Sequence, residues 1–144
     1  MASWRDSASQ TAQDDLDALF SAVLPFAEQA LGKSGQMYPF GASVDDDGHV
    51  AMIAAASELN DRPRSDDVLA SLYLGAQAQS SQCRAFAFVA DVRANGGDAV
   101  RVEVEHREGV ALALLVPYTK SRIRKAVTLG SMSVSVGPTR VRPI

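Results

Sequence analysis

Cysteine, histidine, aromatic side chains and long apolar runs are all scarce in this 144-residue chain, and each scarcity excludes a class of protein. A single cysteine, Cys83, cannot build an internal disulfide framework and fits a reducing, cytoplasmic compartment. Together with the only two histidines, His49 and His106, it falls short of the four Cys or His ligands of a common structural zinc site. The longest strictly apolar runs, 50–56 and 110–116, have seven residues each, against the ~20 needed to cross a bilayer. Residues 1–10 are polar, so no signal peptide is expected. There is no Walker sequence, no dinucleotide glycine pattern and no Gly-x-Ser-x-Gly nucleophile elbow.

What is present describes a single globular domain, 47% hydrophobic and 22% charged. Its net charge of −3 hides an asymmetry: residues 1–72 carry 4 basic and 12 acidic side chains (−8), residues 73–144 carry 10 and 5 (+5). Lys120, Arg122, Arg124 and Lys125 form the densest basic cluster, the one place where a nucleic-acid reading starts. A pI near 5.3 works against phosphate binding. The leading expectation is therefore that acidic helices lie against basic sheet elements, with nucleic-acid binding through the basic segment 120–125 as the minor alternative.

Along the chain, residues 1–10 read as a flexible lead-in and 11–144 as one domain. A helix starts near Thr11 with the stripe Leu16, Leu19, Phe20, Val23, Ala27, Ala30, Leu31; Pro25 should kink or divide it. Strands over 37–44 and 49–55 read as a hairpin, followed by a loop at 60–64. A second helix from Ser65 buries Val68, Leu69, Leu72, Tyr73 and Ala76. Strands follow over 84–93, 98–106, 110–118 and 127–136, the last bulged at Gly130. The order predicts an α+β two-layer sandwich: a mainly antiparallel sheet of five to six strands with two helices on one face.

Three glycine-ended loops, 46–48, 95–97 and 107–109, suit three-residue hairpin turns and fix a register. Val44 then faces Val50, Val104 faces Leu112, Val102 faces Leu114 and Phe88 faces Val104, gathering the large apolar residues on the helix side. The opposite face pairs Asp91 with Arg101 and Val89 with Glu103, beside Ala111, Ala113 and Leu115. Such a half-apolar, half-charged face predicts a protein-partner or homodimer surface built from Asp91, Arg93, Arg101, Glu103, Glu105 and Leu115. The C-terminal tail and 119–126 are the only segments left to cover it.

Glu103 and Glu105 are spaced for glycoside acid–base chemistry, but Arg101 and Arg107 flank them as in an ordinary exposed charge ladder. His106 ends the core-face row and needs a hydrogen-bond partner. His49 pairs with Asp45, while Asp45-Asp46-Asp47-Gly48 lacks the glycine and glutamate positions of a calcium loop. Cys83 has no companion and no base. Tyr38-Pro39-Phe40-Gly41-Ala42 reads as an edge or bulged strand with Tyr38 and Phe40 as core anchors, and Gly41 leaves room for a close backbone or a ligand. No catalytic, cofactor-binding or metal-ligating residue is assigned, and no membrane partner is expected.

The segments Tyr-Pro-Phe-Gly-Ala, Asp-Asp-Gly-His-Val, Val-Glu-Val-Glu-His-Arg-Glu-Gly and Val-Pro-Tyr, in this order over residues 11–130, resemble a group of small bacterial proteins of unknown function. The resemblance implies a bacterial single-domain protein and brings no activity with it. The leading expectation is a non-enzymatic interaction or regulatory module, of the kind an immunity-type protein would be. The alternative is a small-molecule binder or hydrolase with its pocket near Gly41, Asp45 and His49.

Overall fold

The computed structural model describes residues 3–54, 64–121 and 126–142. The expected loop at 60–64 falls outside these, apart from Arg64, as do Arg122, Arg124 and Lys125 of the basic cluster. Among the described residues, seven strands and three helices form an α+β fold whose strand pairings are all antiparallel. No helix among the described residues is long and apolar enough to cross a membrane.

Residues Trp4–Ser7 make a one-turn helix, α1, closed by a capping box between Ser3 and Asp6. The Arg5 guanidinium grips Asp17 with both nitrogens, at 2.9 and 2.7 Å. The long helix α2 (Gln10–Ser34) is capped by Ser9, runs undivided through Pro25, and ends at Gly35 in the left-handed conformation (φ 73°). Its stripe Leu16, Leu19, Val23 and Leu31 is essentially solvent-free, at about 1.5–3 kcal/mol per side chain.

The sheet contains β1 (Phe40–Asp45), β2 (Val50–Ile53), β3 (Cys83–Ala94), β4 (Gly97–His106), β5 (Ala111–Lys120), β6 (Val127–Leu129) and β7 (Ser133–Val136). Strand order is β2-β1-β3-β4-β5-β6, with β7 also on β5. Both β6 and β7 line the same edge of β5. Tyr118 pairs with Leu129 but Leu115 pairs with Ser133, so residues 130–132 hold one extra residue, the bulge expected at Gly130. Pro39 stands before β1 rather than within it, and β1 is an interior strand between β2 and β3. Phe40 is buried as expected; Tyr38, expected in the core, is 55% exposed.

Two of the three derived registers hold. Val44 pairs with Val50, Val104 with Leu112 and Val102 with Leu114. The β3–β4 register is different: Ala94 pairs with Gly97, and Asn95-Gly96 alone makes the turn with φ of 54° and 79°. Both central residues of a type I′ turn need positive φ, which Asn-Gly supplies. Gly97 is therefore the first residue of β4, not the last of the loop. A one-residue slip reverses every side chain of a strand, so Phe88 pairs with Glu103, Ala90 with Arg101, and Asp91 with Val100 instead of Arg101.

The slip changes the layers. Ala85, Ala87 and Val89 join Val100, Val102, Val104, Leu112, Leu114 and Val116 under α2. Phe86, Phe88 and Ala90 point the other way, into a second cluster with Val68, Leu69, Leu72 and Ala76 of α3 (Ser65–Ala78). The helices thus cover opposite faces instead of sharing one, because β3 is apolar at odd and even positions alike and needs a cover on each side.

Candidate functional site

The six residues expected to form one interaction surface are divided between two faces. Asp91 lies on the α2 side, where it accepts a 2.6 Å hydrogen bond from the Tyr118 hydroxyl. Arg93 is exposed, 3.5 Å from Asp98. Arg101, Glu103, Glu105 and Leu115 lie on the α3 side, with Arg101 and Leu115 half-buried neighbours. Glu103 and Glu105, expected in the open, are 4% and 3% exposed. What covers them is α3 and the C-terminal tail, one of the two segments left for that purpose.

After β7 the chain passes Gly137 and crosses to the α3 face, where Arg140, Val141 and Arg142 form a strap. The Glu105 carboxylate accepts backbone N–H groups from all three: Arg140, Val141 (3.0 Å) and Arg142 (2.8 Å). Val141 is buried in the α3 cluster. The Arg140 guanidinium lies 3.2 Å from Glu103 and 4.9 Å from the centre of the Tyr73 ring. Arg142 donates to the carbonyls of Ser80 and Cys83, and Gln77 donates to the carbonyl of Arg140. Glu103 also accepts from the Tyr73 hydroxyl at 2.9 Å; burial, then that carboxylate, push the Tyr73 pKa up to about 12. The two carboxylates, two apart on β4, are thus buried beneath the strap and bonded to it instead of standing open as a charge ladder.

The acidic and basic halves meet in specific pairs. Asp15 of α2, 5% exposed, receives Arg84 at 2.8 Å and His106 Nε2 at 2.8 Å. His106 Nδ1 accepts the Glu108 N–H at 3.1 Å, so Nε2 carries the proton donated to Asp15. This is the hydrogen-bond partner that His106 requires. Asp15 itself was legible: with Ala12 and Leu19 it shares the buried side of the helix. Arg107 pairs with Asp46. Lys120, from the basic cluster, donates to the carbonyl of Gly35 at the α2 C-terminus, where a cation suits the helix dipole.

At the first hairpin Asp45 and His49 are 3.7 Å apart, and with Asp47 their ligand atoms lie within 4.8 Å of one another. Asp45 Oδ1 is already engaged by the N–H groups of His49 and Asp47, which lower its pKa, and Arg84 adds to the effect. The group closes a turn beside two guanidiniums and has nothing that points to a cation. The space beside Gly41 is filled: a Cβ there would sit 2.9 Å from the Ala87 carbonyl of β3, so the glycine admits a strand. Asp45, half-buried, and His49, exposed, stand at the hairpin turn outside that close contact.

A cleft of about 430 Å³ runs between α1–α2 and the β5–β7 margin, lined by Trp4, Phe20, Leu112, Leu114, Met132 and Val134. Met132 and Val134 are each 49% exposed and Val136 is 89% exposed. These side chains continue the apolar face past the reach of α2, since Val134 pairs with Leu114 and Val136 with Leu112. Sequence reading placed them in an ordinary last strand. Their signal was the absence of any charge from residue 127 to 139.

Protein-family models, curated proteins and solved structures all give no match to this chain.

Proposed function

We propose that this chain is a non-enzymatic protein-interaction module whose partner is a second copy of itself, docked edge to edge along β7. The observation that carries the reading is Val136, 89% exposed on a strand whose outer edge has no neighbour among the described strands. Exposed sheet edges are ordinarily guarded by shortness, charge, proline or a bulge within the strand; Ser133–Val136 is short, at four residues, but has no charge, proline or bulge. An antiparallel β7–β7 contact is two-fold symmetric, so the same patch serves both copies. An uncharged strip also offers nothing for an oppositely charged foreign partner to read, and the nearby Arg5–Asp17 pair is self-neutral. The lone, buried Cys83 supports a reducing, cytoplasmic setting.

The test is sedimentation equilibrium on the wild type and on Val134→Lys/Val136→Lys. A concentration-dependent dimer for the wild type and a folded monomer for the variant are expected. A wild type that stays monomeric at its solubility limit, or a variant that dimerises equally well, refutes the reading.

A further inference from the structure

We propose that the groove floored by Glu103 and Glu105 is a receptor for an extended Arg-apolar-Arg segment, that the strap Arg140–Arg142 is its resident occupant, and that a partner protein carrying this pattern takes the strap's place. This goes beyond the β7 pairing and does not depend on it.

The receptor half is built without the strap. Glu103 is held by the Tyr73 hydroxyl, Tyr73 packs edge-on against Phe88 at 4.8 Å, and Phe86 stacks parallel to Phe88. Each part of the occupant is read separately. Glu105 takes three successive backbone N–H groups, which any residues but proline would supply; the apolar cluster takes Val141; Glu103 and Tyr73 take one guanidinium, and the Ser80 and Cys83 carbonyls take the other. Main-chain bonds for affinity with side-chain pockets for specificity is how extended peptides are recognised.

The resident fits imperfectly. Arg140 Nε and Arg142 Nη1 are buried without a hydrogen-bond partner among the described residues, an unfavourable state that a better-fitted segment relieves. Nor does the strap belong to any strand or helix. Its contacts are helped by proximity, since only residues 137–139 separate it from β7. A short tether gives a high effective concentration, so a free peptide competes poorly until the strap is weakened.

The experiment therefore uses the whole chain with Arg140→Ala and Val141→Ser, which alter the occupant and leave the groove intact. The probe is a fluorescent peptide Pro-Thr-Arg-Val-Arg, copied from residues 138–142, with Pro-Thr-Ala-Val-Ala as control. Saturable 1:1 binding of the arginine peptide is expected, with at least about tenfold weaker binding to the wild type. Adding Glu105→Gln to the weakened-strap chain should remove the binding. The proposal is overturned if the folded weakened-strap chain binds no peptide, or if it binds no better than the wild type. If the variant does not unfold cooperatively, amide exchange on the wild type decides. Val141 and Arg142 amides opening at least about tenfold faster than those of β4 support a displaceable strap. Equal rates make it an integral part of the fold and sink the proposal.

Discussion

The two faces of the sheet are held by different physics. Under α2 the interior is nearly all hydrocarbon, with Leu16, Leu19, Val23 and Leu31 in one cluster with three valines of β4 and with Leu112 and Leu114 of β5. A buried ionic group, Asp15 with Arg84 and His106, sits at the end of the sheet. Under α3 and the strap, carboxylates from β4 lie among phenylalanines, and their position depends on partners brought from residues 73 and 140–142. The first face is stabilised by area and needs only the right volume. The second depends on matched donors and acceptors, so it discriminates between occupants.

The largest effect that would break this contrast is in the hydrocarbon layer. Leu16→Ala should cost about 2–5 kcal/mol, since the site is solvent-free and walled by strands that cannot collapse. Chemical denaturation reads this; a loss below 1 kcal/mol would mean the α2 layer is not the main core. Glu105→Gln should cost less, about 1–3 kcal/mol, because it weakens the acceptor that three backbone donors share. It should also speed amide exchange at residues 140–142 while β4 stays protected. Uniform loss of protection would mean the strap and sheet open together.

The smallest effect is at alkaline pH, where each face holds a tyrosine whose pKa is raised, Tyr73 under α3 and Tyr118 under α2. Tyr73 holds its proton to about 12 in the folded chain, whereas an unfolded tyrosine loses it near 10. Below pH 10 both states are protonated and the contribution is complete; between about 10 and 12 the unfolded state ionises first and stability falls as pH rises. Burial and Asp91 raise the Tyr118 pKa as well. Melting temperatures against pH should therefore slope downward above pH 10, and Tyr73→Phe should flatten the slope. An unchanged slope would show that the Tyr73–Glu103 bond is not formed in solution.

Local chemistry made much of this fold legible. Periodicity marked the buried sides of α2 and α3, and glycine-ended loops gave the β1–β2 and β4–β5 registers. The β3–β4 hairpin misled for a physical reason. Asn95-Gly96 is sufficient as a turn, but the extra Gly97 allowed a longer loop that kept Glu103 away from phenylalanine. Keeping charge out of apolar rows is sound only when no partner can reach it. Here the partners came from α3 and from the tail after Gly137, too distant in sequence for pattern to connect. The layers were lost with that register. The exposed β7 margin was missed because a strand looks the same in sequence whether or not α2 reaches it.

Gly137 acts as the fulcrum of the C-terminal ribbon. On one side of it the chain lies along the rim of β5; on the other it runs over the opposite surface. A methyl group there would come within 2.5 Å of the Leu112 carbonyl carbon, so the crossing cannot creep by one residue in either direction without driving Val136 or Pro138 into the sheet. The absence of a single carbon atom thereby sets two alignments at once: which valines β7 presents outward, and which residue drops into the hole beneath α3.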